Sequence, residues 1–182
     1  MFTRGRLRQL VGEMLIYIVA TVLLTGGYLA LDFVPSNDMI VYDGGYAPLR
    51  GVMMSEAYES TLTISFDVRG GLLARQLHHR FPYVFGLGVV VWILLGRLRY
   101  GFAVLGLTLL AAFGGYGSVD DVLAGTVLGG ISVLFWYGLH LLAALAVVVL
   151  LVISARQEAV TQPRPRGFTL TGLTLTALIF LL

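Results

Sequence analysis

The chain has no cysteine. That excludes disulfides, iron–sulfur ligation, thiolate zinc sites and thioether-linked c-type haem. It has no lysine either: all 12 basic residues are arginine, set against 10 acids for a net charge of +2. So small an excess argues against a nucleic-acid partner and shifts attention to where the arginines sit. Charged residues make up 12% and hydrophobic residues 58% of the 182 positions. Soluble domains carry about 25% charged and about 45–50% apolar residues, so this composition is that of a membrane protein.

What is present is a series of long apolar stretches at 10–31, 71–95, 100–116 and 128–155, with a shorter one at 168–182. A membrane helix needs about 20 residues, so the first four qualify and the fifth is marginal. The first is longer than the apolar core of a signal peptide, about 7–15 residues, although Arg4, Arg6 and Arg8 resemble a signal's basic start. It is expected to be an uncleaved anchor.

Arginine placement orients the spans. Arg4, Arg6 and Arg8 precede the first, Arg97 and Arg99 lie between the second and third, and Arg156, Arg164 and Arg166 follow the fourth. The positive-inside rule therefore predicts both termini in the cytoplasm and the acidic 32–70 loop outside, with Asp120 and Asp121 on that same outer side. Within the loop, 55–66 is expected to form a short surface helix. Prolines and arginines at 162–167 predict a break, and the alternating threonines of 168–176 read as a strand by pattern. A lone strand in lipid leaves its backbone unsatisfied, so a short helix is expected instead. The expected fold is an all-α membrane protein: a four-helix transmembrane bundle with an outer surface loop and helix and a short C-terminal hydrophobic helix. Its divisions are a cytoplasmic N-terminus at 1–9, a four-helix unit at 10–156, a Pro/Arg linker at 157–167 and the tail helix at 168–182.

All three histidines, His78, His79 and His140, fall inside predicted spans. An ionisable residue there is a functional candidate, the alternative being a neutral ring hydrogen-bonded between helices. Histidines from two helices, in a chain without cysteine, suit a non-covalent bis-histidine b-type haem. Gly12 and Gly26 are fourteen residues apart, as are Gly101 and Gly115. That spacing rises roughly 21 Å and returns within about 40° of the same face, giving each helix two bare spots where a flat macrocycle can approach. Ordinary small-residue helix packing accounts for any one such glycine equally well.

The segment VYDGGYAPLRGVMMSEAYESTLTISFDVRGGLLARQLHHR at 41–80, with LLTGGYLAL at 23–31 and AFGGYGSVDDVLAG at 112–125, resembles the N-terminal four-helix half of cytochrome b from cytochrome bc complexes, of the actinobacterial type. The resemblance runs from about Gly12 to Arg156. It implies that His78 and His140 ligate the iron of an outer haem b, that Arg75 neutralises a haem propionate, and that Gly26 and Gly115 are its close-approach glycines. For the family's inner haem, Gly12 and Gly101 match, but the ligand positions hold Trp92 and Ser154 or Ala155. Three histidines allow at most one bis-histidine haem. His79, about 100° off the His78 face, is expected to point to the headgroups or a neighbour. Pro82 is expected to kink its helix.

Other features depart from the family. The outer quinol-site segment, usually ending Pro-Asp-Asp, reads Ser118-Val119-Asp120-Asp121, and the Pro-Glu-Trp-Tyr quinol motif belongs to the family's second half. A complete quinol-oxidising site is therefore not expected. The resemblance implies an electron-transfer subunit in the bacterial plasma membrane, in contact with lipid and other respiratory-complex subunits. It further implies a dimeric assembly within the complex, with a chain supplying the C-terminal half as a candidate partner. The competing reading is a haem-free paralogue that scaffolds a respiratory supercomplex, with Trp92 filling part of the inner pocket. Retained Gly12 and Gly101 count against complete filling. A quinone in the inner position, with Glu13 near its headgroup, is a further candidate cofactor. A channel or transporter is disfavoured by the scarcity of polar lining.

Overall fold

A computed structural model describes residues 3–119, 121, 123 and 125–181. Asp120, Leu182 and the first two residues, which entered the expectations above, lie outside this set. The elements in order are α1 (Arg4–Leu29), β1 (Met39–Val41), β2 (Met53–Ser55), α2 (Glu56–Phe66), α3 (Gly71–Leu94), α4 (Leu98–Val119), α5 (Val133–Thr161) and α6 (Phe168–Leu181), with 3-10 turns at Ala47–Leu49 and Val127–Gly130. Among the described residues, α1, α3, α4 and α5 are long and apolar enough to cross a membrane. The chain is a multi-pass membrane protein built on a four-helix bundle.

The helices are longer than the apolar runs that announced them. α1 begins at Arg4, where the Thr3 hydroxyl accepts from the Arg6 amide, and α5 continues to Thr161 before the break at 162–167. α3 remains helical through Pro82. α1 packs on α3 and α5, α4 on α3 and α5, and α6 on α1. Leu15 and Ile18 of α1, Phe85 and Val89 of α3, Val104 of α4, and Val147 and Leu151 of α5 fill the centre. Apolar residues also cover the outer faces, as lipid rather than water surrounds them.

At one end the arginines tie these elements together. Arg4 Nη2 donates to the Leu94 carbonyl at the end of α3 (2.8 Å), and Arg97 Nε and Nη2 donate to Ser154 Oγ and O (2.8 and 3.0 Å). Arg8 Nε meets Glu158 Oε1 and Arg164 Nε meets Glu13 Oε2, both at 2.7 Å. Four of the arginines assigned to one side by sequence thus meet at one end of the bundle. We call it the arginine end.

The other end carries the long loop. β1 and β2 pair antiparallel, Met39 opposite Ser55, over a small core of Tyr42, Met54 and Leu62. Ser55 caps α2 by accepting from the Tyr58 amide, one residue before the helix itself begins. Its hydroxyl donates to Asp121 Oδ1 (2.6 Å), tying the loop to the α4–α5 connection, and Asn37 Oδ1 accepts from the Val133 amide at the start of α5 (2.8 Å).

The alternating threonines of 168–176 form a helix, as the lipid argument requires. Thr171 and Thr176 each donate their hydroxyl to the carbonyl four residues back, which removes a polar group from the apolar surroundings. α6 has 14 residues, roughly 21 Å of helix, shorter than a hydrocarbon core of about 30 Å. It lies along the bundle with Phe180 on Phe81, ring centroids 4.3 Å apart.

Candidate functional site

His78 of α3 and His140 of α5 face each other toward the loop end, with ring centroids 5.9 Å apart and planes at 68°. Each ring is held from behind by backbone. His78 Nδ1 donates to the Val22 carbonyl of α1 (3.1 Å), and His140 Nδ1 donates to the Ala111 carbonyl of α4 (2.7 Å). A carbonyl only accepts, so in both rings the proton sits on Nδ1 and the neutral ring keeps its lone pair on Nε2. This is the arrangement by which proteins orient metal-binding histidines. Thr25 Oγ1 also lies 3.2 Å from His78 Nδ1, its own proton directed at the Thr21 and Val22 carbonyls (both 3.0 Å).

Glycine lets the neighbouring helices come this close. A Cβ on Gly26 would stand 2.8 Å from His78 Cε1, and one on Gly115 would stand 3.0 Å from His140 Nδ1. The bare spots of α1 and α4 therefore sit against the two imidazoles. Gly114, which the sequence reading passed over, brings α4 against the α5 backbone, its missing Cβ 3.0 Å from the His140 amide nitrogen.

Arg75 lies one turn before His78, where its Nη1 donates to Ser65 Oγ of α2 (3.0 Å). His79 turns away from this pair and stacks edge-on against Tyr116, centroids 5.7 Å apart. Tyr116 in turn shares a 2.6 Å hydroxyl–hydroxyl contact with Tyr83. Among the described residues no three of His, Asp and Glu converge as a bare metal ion requires. Two opposed histidines suit a macrocycle that brings its own equatorial nitrogens, so these residues fit a single haem.

Fourteen residues along each helix they do not fit one. Trp92 is 1% exposed, and its Nε1 stands 3.2 Å from where a Gly12 Cβ would be. Ile93 occupies the place of a Cβ on Gly101. Ser154 is fully buried and engaged by Arg97. The retained Gly12 and Gly101, which counted against complete filling, are met by adjacent side chains of α3, Trp92 at one and Ile93 at the other. No signal in the glycine spacing distinguishes a notch for a cofactor from a notch for an indole.

At the loop end a cavity of about 290 Å³ is bordered by Asn37, Ser55, Asp121 and Trp136. Asp121 belongs to the segment that departs from the resembled pattern.

No protein-family model matches the chain. Among curated proteins it is similar to the cytochrome bc1 complex cytochrome b subunit of Streptomyces coelicolor, at 45% identity over 129 residues, covering 64% of this chain and 24% of that protein. The corresponding subunit of Mycobacterium leprae is 42% identical over 128 residues, 64% of this chain and 23% of that protein. That of Corynebacterium diphtheriae is 41% identical over 128 residues, 64% of this chain and 24% of that protein. The chain spans about a quarter of the length of these relatives. In its four apolar helices and in its sequence alike, it resembles the N-terminal half of actinobacterial cytochrome b.

Proposed function

We propose that residues 10–156 form the haem-carrying unit of a membrane electron-transfer subunit of the cytochrome bc type, with one non-covalent b haem between His78 and His140. The observation that carries this reading is the opposed histidine pair, each ring tied through Nδ1 to a carbonyl of a neighbouring helix. His78 and His140 present Nε2 to the iron. Gly26 and Gly115 keep α1 and α4 close enough to hold those rings. Arg75, near the loop end of α3, supplies a positive charge for a propionate. A haem bound there supplies one-electron transfer.

By the positive-inside rule the arginine end is cytoplasmic and the loop end external, in a bacterial plasma membrane. The subunit's partners are lipid, the other subunits of a respiratory complex and a segment or chain supplying the C-terminal half, in a dimeric assembly as the resemblance implies. Electrons leave and enter on the outer side, because Trp92 and Ile93 fill the inner position. A quinone forms no part of this proposal: the inner cavity of about 10 Å³ is far smaller than a quinone ring.

The test is a dithionite-reduced spectrum of the pure protein expressed with haem supply. A b-type α-band at one haem per chain is expected. His140→Ala abolishes it, whereas His79→Ala leaves it intact. The second reading, a haem-free scaffold, draws on the filled inner half. It prevails if the reduced spectrum shows no α-band while the protein still purifies with respiratory subunits.

A further inference from the structure

The charged groups of the arginine end surround a small cavity that a haem at the other end does not use. Gln9, Gly12 and Glu13 of α1, Trp92 of α3, Glu158 of α5 and Arg164 of the linker line it, and its volume is about 10 Å³. Trp92 is 1% exposed, and among the described atoms its Nε1 has no hydrogen-bond partner. That nitrogen faces Gly12, whose missing side chain borders the cavity. A buried N–H without an acceptor is unfavourable, and native proteins satisfy nearly all such groups with protein or ordered water.

The surroundings define what fits. An anion would meet the carboxylates of Glu13 and Glu158, and a cation would meet the Arg164 guanidinium and an N–H. A neutral molecule that both accepts and donates suits the polar walls, and Leu151 and Ala155 complete the lining. Glu13 already accepts from Tyr17 Oη and Arg164 Nε, and Glu158 from Arg8 Nε, each at 2.7 Å. An ionised carboxylate offers about four acceptor positions, so capacity remains. A cavity near 10 Å³ has room for a single water.

We propose that this cavity binds one water molecule, which accepts from the Trp92 indole N–H and donates to the Glu13 and Glu158 carboxylates. The water joins α1, α3 and α5 where the related cytochromes would require a second cofactor, and it satisfies the indole that replaces a ligand.

The experiment uses the full chain in lipid nanodiscs with ¹⁵N-labelled tryptophan. The chain has two tryptophans, so Trp92→Phe assigns the indole signals, and Trp136→Phe assigns them if the first variant does not fold. In a rotating-frame water experiment, through-space cross-relaxation has the opposite sign to chemical exchange. A cross-relaxation peak between the Trp92 indole proton and a long-lived water is the expected result. An exchange peak alone, or no peak at the Trp92 indole, overturns the proposal.

Discussion

The indole nitrogen of Trp92 stands 3.2 Å from the point where a side chain on Gly12 would begin. One residue is as large as the genetic code allows and the other as small, and the contact closes α1 against α3 near the arginine end. Removing the indole should therefore be costly: a buried Trp→Ala change destabilises by about 3–5 kcal/mol. For Trp92→Ala we expect a lower thermal midpoint in detergent. Haem content at the opposite end should stay at one per chain, and its loss there would show that the two ends are not independent.

Gly26 and Gly27 are neighbours with opposite surroundings. A Cβ on Gly26 would press on His78 at 2.8 Å, whereas one on Gly27 meets nothing within 4 Å. Alanine is favoured over glycine in a helix interior by about 1 kcal/mol. Gly27→Ala should leave haem content unchanged and the thermal midpoint equal or slightly raised. Gly26→Ala should displace the His78 ring and lower the haem-to-protein ratio, read from the pyridine haemochrome.

Thr25 offers the His78 ring a second acceptor beside the Val22 carbonyl. If His78 ligates a haem as proposed, an acceptor on its Nδ1–H raises the basicity of the ring and so favours ferric iron. Thr25→Val, close in shape, should raise the haem midpoint potential without changing stoichiometry. Equal potentials in a redox titration would assign the tuning to Val22 alone.

Arg8 holds Glu158 with side chains 27% and 4% exposed. Removing one partner of a buried pair costs about 3–5 kcal/mol, and the partial exposure of Arg8 reduces this to about 1–3 kcal/mol. Arg8→Ala should lower the thermal midpoint accordingly. Arg8→Met combined with Glu158→Leu should recover most of the loss, because no charge is then stranded.

Much of this is legible in the amino-acid sequence. Apolar length gave four spans, and the arginines at 4, 8, 97 and 164 marked one end because charge cannot lie in hydrocarbon. His78 and His140 stood out as ionisable groups within spans. The backbone partners were hidden: the carbonyls of Val22 and Ala111 belong to no motif, since every residue has a carbonyl. Likewise the fate of Gly12 and Gly101 depends on how Trp92 and Ile93 are turned. A glycine records that something approaches closely, not what. Alternation alone points to a strand at 168–176, and the need to pair its backbone in lipid points to the helix that forms.

The bundle is stitched by charged side chains at one end and held by two imidazoles at the other. The helices therefore have their spacing set before any cofactor arrives, as in a clothes-peg whose spring is already in place. Hydrogen exchange on the apoprotein should find the amides around Trp92 and Leu151 protected and those around His78 and His140 opening more readily. On the proposed reading, maturation is one jaw closing on its ligand, with no rearrangement asked of the hinge.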